Sequence, residues 1–159
     1  MKNIARELIL SLFLLLSGCA THYYTPPKPV LIVIKSPALK FADMGFLYRG
    51  KKWVKVEVYA SGHALFTLKV GKRICVDGKC MNENDFYKRY FGIQYPPGTL
   101  LAIFSRQPIF DNEGLLKENG KNIQRIFKED RFDIIYTFDD TSVRFKDKIN
   151  HILIKIKER

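Results

Sequence analysis

Strict two-residue alternation in several separate stretches limits most strongly what this chain can become. Val54, Val56 and Val58 fall on one side of an extended segment and Lys55 and Glu57 on the other; after Ser61-Gly62-His63 the pattern returns with Phe66, Leu68 and Val70. Further on, Phe132, Ile134, Tyr136 and Phe138 alternate with Asp133, Ile135 and Thr137, and Ile152, Ile154 and Ile156 with Lys155 and Lys157. A period of two belongs to strands with one face in a core. The short gaps between them are rich in turn residues and therefore join antiparallel neighbours. Residues 30–34, apolar on both faces and rich in β-branched side chains, predict a buried strand. Residues 41–48 predict another, and Arg49-Gly50-Lys51-Lys52 turns the chain between it and Trp53.

Two dipeptides fix hairpins. Asp77-Gly78 is a preferred centre for a two-residue type I′ turn, and Asn119-Gly120 is its counterpart between residues 115–118 and 121–127. Around Asp77-Gly78 the register sets Val76 against Lys79 and Cys75 against Cys80. That is a non-hydrogen-bonded position, with Cα atoms about 4.5 Å apart, near the short end of the disulfide range. Cys75 and Cys80 therefore predict a disulfide clipping one hairpin. A metal pair is the competing reading, but no histidine or further cysteine lies near enough in sequence to complete four ligands. The five-residue spacing is also not the CxxC of redox centres.

The period changes mid-chain. Asn82 predicts a helix cap, with Glu83 and Asp85 in the first turn, Lys88 and Arg89 in the last, and Gly92 just beyond. Phe86 with Tyr90, and Tyr87 with Phe91, share one face at i,i+4 spacing. Tyr95-Pro96-Pro97-Gly98 breaks the chain, and Thr99 then predicts the cap of a short apolar helix over 100–105 that stops before Pro108. The expected fold class is α+β: a mainly antiparallel, curved sheet with two short helices inserted mid-chain. Between sheet and helices, Phe86, Tyr90, Leu100, Ile103 and Phe104 would line an apolar groove able to take an acyl chain.

The first residues have a different character. Lys2 and Arg6 precede an apolar run over 8–16 broken only by Ser11, and the run ends in Leu16-Ser17-Gly18-Cys19. The run is too short to span a bilayer, which takes about 20 residues, and has signal-peptide proportions. The ending resembles a bacterial lipobox. That resemblance implies a diacylglyceryl thioether on Cys19, removal of residues 1–18 as a lipoprotein signal peptide, and an acyl chain on the new amino group. Ala20, in place of the aspartate that retains lipoproteins in the inner membrane, implies an outer-membrane anchor facing the periplasm. Two or more acyl chains hold a protein stably on a bilayer where one does not. Residues 19–29, with Pro26, Pro27 and Pro29, then form an extended tether, and residues 30–159 one domain.

The whole chain carries 27 Lys and Arg against 16 Asp and Glu, a net charge of +11, and loss of Lys2, Arg6 and Glu7 with the signal peptide leaves +10. In an exported protein such a surface suits lipid head groups, lipopolysaccharide phosphates or acidic envelope polymers. Nucleic acid is excluded by compartment and by the lack of any binding motif. No catalytic constellation is present. His22, His63 and His151 have no ligand spacing, no nucleophile elbow or phosphate-binding glycine loop occurs, and Asp139-Asp140 read as turn residues. The chain reads as a non-enzyme without metal or cofactor beyond the lipid on Cys19.

Tyr95-Pro96-Pro97-Gly98-Thr99-Leu100-Leu101, then Arg106-Gln107-Pro108-Ile109, Arg131-Phe132-Asp133-Ile134-Ile135-Tyr136 and a closing Ile-x-Ile strand, taken with the lipobox, are similar to the outer-membrane lipoprotein-receptor (LolB-like) group. The resemblance implies a half-barrel-like sheet around the helices. It also implies binding or transfer of an acylated ligand (lipid, lipoprotein or lipopolysaccharide) in the groove. The alternative is an accessory subunit that docks on an envelope protein complex through its basic face.

Overall fold

A computed structural model describes residues 26–60 and 62–159. The expected signal peptide (residues 1–18) and Cys19 lie outside the described residues. Six strands come first: β1 (Lys28–Lys35), β2 (Lys40–Gly50), β3 (Trp53–Ala60), β4 (His63–Val70), β5 (Ile74–Val76) and β6 (Lys79–Met81). Five close the chain: β7 (Leu115–Glu118), β8 (Lys121–Lys128), β9 (Phe132–Phe138), β10 (Ser142–Asp147) and β11 (Ile152–Glu158). All belong to one antiparallel sheet in the order β6-β5-β4-β3-β2-β1-β11-β10-β9-β8-β7. Each half is a meander, and the halves meet where Ile32 pairs with Ile156 and Ile34 with Ile154. The sheet is open, with β6 and β7 as its edges. Regular structure starts two residues inside the expected tether, because Lys28 already pairs with Leu47 and Pro29 with Phe46.

The alternation works as expected. Val54, Val56 and Val58, then Phe132, Ile134, Tyr136 and Phe138, then Ile152, Ile154 and Ile156 are all buried on one face of the sheet. Two short helices cover that face. The first, α1 (Glu83–Phe86), is capped by Asn82, whose Oδ1 accepts from the Asp85 amide at 2.8 Å. It does not continue as the single α-helix that the spacing predicts. Residues Tyr87–Phe91 widen into a π-helical turn, closed by the Gly92 amide on the Tyr87 carbonyl at 2.9 Å. The wider turn brings Phe86 and Phe91, five residues apart, edge to face at 5.3 Å, and it buries both together with Tyr87.

The second helix, α2 (Thr99–Ser105), is capped by Gly98 rather than Thr99. Thr99 Oγ1 instead donates backward to the Pro96 carbonyl at 2.7 Å. Helix α2 touches both β3 and β10. In a flat sheet those strands, four intervals apart, would be separated by about 19 Å at the usual spacing of about 4.8 Å. A helix about 10 Å across reaches both only because the sheet curves around it. Within the sheet, Gly45 lets β2 run close to β3: a Cβ there would stand 2.3 Å from the Glu57 carbonyl oxygen.

The Asp77-Gly78 turn has φ of 47° and 79°, the positive values a type I′ turn requires. Cys75 pairs with Cys80 and is disulfide-bonded to it, with Cα atoms 3.9 Å apart. The loop closed is so short that replacing both cysteines by serine should lower unfolding free energy by only about 2 kcal/mol. Urea denaturation should show a lower midpoint with an unchanged slope.

One local feature has no counterpart in the pattern reading. Phe110, Asp111 and Asn112 all have φ between 49° and 68°, a single left-handed turn of the kind that is costly for L-residues. Gln124, fully buried on β8, holds it in place. Its Oε1 accepts from the Ile109 amide at 2.8 Å, and its Nε2 donates to the carbonyls of Ile109 at 3.0 Å and Glu113 at 2.8 Å.

Candidate functional site

Of the five residues expected to line a groove, Phe86, Leu100 and Ile103 are 1 % exposed and Phe104 is 0 %, whereas Tyr90 is half-buried at the margin. The structure brings them together, but as part of one core with the strand side chains. The space between sheet and helices is filled by the chain's own side chains.

Polar links fasten the helices to each other and to the sheet. The Tyr87 hydroxyl donates to Glu83 Oε1 at 2.6 Å and accepts from the Leu100 amide at 3.1 Å. Glu83 Oε2 accepts from the Gly98 amide at 2.8 Å. One carboxylate in the first turn of α1 thus fixes the start of α2. Tyr95, in the connection between them, donates to Asp147 Oδ2 at 2.5 Å. Burial, reinforced by the neighbouring carboxylate, pushes the hydroxyls of both tyrosines far above their ordinary range.

A cluster of charges lies where α2 ends. Glu158, its side chain 7 % exposed, accepts from Arg49 at 2.7 Å and Arg106 at 2.9 Å through Oε1, and from Lys28 at 2.9 Å through Oε2. Arg106 also donates to the Asp140 carbonyl. Burial would raise the Glu158 carboxyl, but its three cations outweigh that and hold it below its ordinary value. Burial and the facing Arg106 charge lower the Arg49 guanidinium, against the pull of Glu158. Arg49 Nε has no hydrogen-bond partner among the described residues. One negative charge thus serves three positive ones. Beside the cluster a shallow depression of about 460 Å³ runs between Arg49, Gly50 and Lys51 and the outer face of α2, where Leu101 and Ala102 form its apolar floor.

Asp139-Asp140 form a turn, as the sequence suggests. Asp139 Oδ1 accepts from the amides of Thr141 at 2.9 Å and Ser142 at 2.7 Å, and Oδ2 from the Ser142 hydroxyl at 2.8 Å. Burial acts to raise its carboxyl, but these bonds outweigh it and hold the pKa at about 2. A folded-state value below the unfolded one, near about 4, means stability that is present above that range and lost as pH falls through the folded value. Asp139→Ala should therefore cost about 1 kcal/mol at neutral pH. In parallel denaturation curves the gap from wild type should shrink below about pH 4 and close only once the pH has fallen below about 2.

Among the described residues no group of three or more His, Cys, Asp and Glu could hold a metal ion, and no helix is long and apolar enough to cross a membrane. Comparison with protein-family models, with curated proteins and with solved structures finds no match to this chain.

Three structurally decisive residues escape the pattern reading: Gln124, Asp147 and Glu158. Each continues an inward alternation, with Ile126 on β8, with Val143 and Phe145 on β10, and with Ile152, Ile154 and Ile156 on β11. A polar residue in phase with a buried apolar row is the signal that could have found them.

Proposed function

We propose that this chain is a membrane-tethered, non-enzymatic docking module of the bacterial envelope, an accessory subunit and not an acyl carrier. The tether follows from the lipobox-like Leu16-Ser17-Gly18-Cys19, which makes Cys19 the lipid attachment point and the periplasmic face of the outer membrane the location. The half-barrel shape expected from the lipoprotein-receptor resemblance is supported by α2 reaching both wings of the sheet. The observation that carries the docking reading is the filled interior, where Phe86, Leu100, Ile103 and Phe104 are core residues. A partner must therefore be met on the outside.

Titration of the purified full chain with a fluorescent fatty-acid probe tests this. No saturable binding is expected, together with crosslinking to a defined envelope protein in cells. Stoichiometric, displaceable probe binding would overturn the docking reading and restore the acyl-carrier one. That second reading has one favourable observation, the Leu101–Ala102 floor of the depression beside Arg49. The anchor has its own test: palmitate label should enter the wild type and not Cys19→Ser.

A further inference from the structure

The strand directions sort the turns to two ends, and the two ends differ in charge. Because β1 starts at Lys28 and β11 ends at Glu158 opposite Val30, one end carries the β2–β3, β4–β5, β7–β8 and β9–β10 turns and the close of α2. Lys51 and Lys52 in the first of these turns, Lys72 and Arg73 in the second, and Lys157 near the end of β11 are all exposed there. None of the five makes an ion pair with a described residue.

Two of the acidic groups at that end are already committed: Asp139 within its own turn and 3.9 Å from Lys121, and Glu158 shared by Lys28, Arg49 and Arg106. Glu118 and Asp140 are exposed there, against the five exposed cations. At the opposite end the signs interleave: Glu113 with Lys128, Asp133 with Lys148, Asp77 near Lys79, and Glu129 and Asp130 beside Arg131.

The described chain enters the domain at the basic end, through Pro26, Pro27 and Lys28. We infer that this end is a docking face for an anionic lipid bilayer, lying flat against the membrane to which the chain is tethered. The inference rests on the anchor reading in one respect. If Cys19 is held in the bilayer, the nine residues from there to Lys28 reach at most about 30 Å. The basic end is then the one the tether keeps nearest to the head groups, and the mixed-charge end is turned away from them.

Each Lys or Arg close to an anionic surface strengthens attachment roughly fivefold. A lipid anchor combined with a basic patch is a stable two-signal arrangement. Trp53, the sole tryptophan, starts β3 between the two basic turns, with Lys69 Nζ 5.3 Å from the centre of its ring. Its amphipathic ring suits a membrane interface and supplies a native reporter.

The test uses the full chain purified from its own membranes and added to vesicles of phosphatidylcholine, or of phosphatidylcholine with phosphatidylglycerol, each carrying a dansyl-headgroup lipid. Flotation with the neutral vesicles scores the anchor. Energy transfer from Trp53 to dansyl scores docking. Transfer should be stronger on the anionic vesicles and should fall back in about 1 M salt, where the screening length is about 3 Å. In the Lys51→Gln, Lys52→Gln double variant the ratio of docked to undocked chain should drop roughly 25-fold. Both substitutions lie in an exposed turn, and circular dichroism checks that the fold persists.

Equal transfer on both vesicle types, or transfer unchanged by the double variant, would overturn the inference and leave the basic end for an acidic protein. If the chain fails to float with neutral vesicles, the anchor reading fails alone. Docking is then decided by whether anionic vesicles bind the chain in a salt-sensitive way.

Discussion

Asp147→Ala should lower the unfolding free energy by about 3 kcal/mol, because it removes the acceptor for several buried or partly buried donors at once. Asp147 is completely buried at the end of β10. Its Oδ2 accepts from the Tyr95 hydroxyl at 2.5 Å and from Asn150 Nδ2 at 2.7 Å, and its Oδ1 accepts from the amides of Asp133 and Asn150 at 3.3 Å. Hydrogen bonds to a charged group contribute about 1.5–3 kcal/mol each, and a buried hydroxyl left without a partner costs more than a bond that was never made. For a domain of this size the loss corresponds to roughly 10 °C in thermal midpoint. Tyr95→Phe should cost only about 1–2 kcal/mol, since Asn150 and the two amides still satisfy the carboxylate. The double variant should be less damaging than the sum, because the two side chains share one bond. Additive losses would mean that this contact does not tie the interhelix connection to the sheet.

Much of the sheet is legible because a strand writes its burial into every second residue. β3, β4, β9 and β11 follow directly from their alternation, and the Asp77-Gly78 and Asn119-Gly120 hairpins from the positive φ those dipeptides accept. The joining of the halves is not legible in that way. Lys28 and Glu158, ion-paired in the fold, stand 130 residues apart in sequence, and nothing local to either names the other. The π-helical turn also leaves no trace in an i,i+4 reading, since Phe86–Tyr90 and Tyr87–Phe91 contacts survive in it at 4.9 Å and 5.8 Å. The added Phe86–Phe91 contact and the Gly92–Tyr87 backbone bond tell the two geometries apart. Thr99 is a cap by residue type, but Gly98, at a φ of 82°, takes that place, and the Thr99 hydroxyl donates back to Pro96. For the site, the apolar spacing points to these residues as a group but does not say whether the space between them is open or filled. That depends on how closely the curved sheet approaches α2, a distance set by strands far apart in the chain.

Phe104→Ala should distinguish a filled interior from a groove by the size of its effect. Phe104 is 0 % exposed in the helix that both wings of the sheet touch. Truncating a core phenylalanine removes its transfer free energy and leaves a cavity, together about 3–5 kcal/mol. On the wall of a ligand groove the same change would remove few packed contacts and fall within the roughly 0.5 kcal/mol typical of surface substitutions. Urea denaturation of the two chains in parallel reads this difference directly. The variant has a second expected property. Its new cavity would be apolar, and apolar cavities stay dry and accept small apolar molecules, so a benzene-sized probe should bind to Phe104→Ala and stabilise it while leaving the wild type unchanged. Binding of such a probe to both chains, with a small loss of stability, would mean that the space beside α2 is already open, and the docking-module reading would give way to the acyl-carrier one.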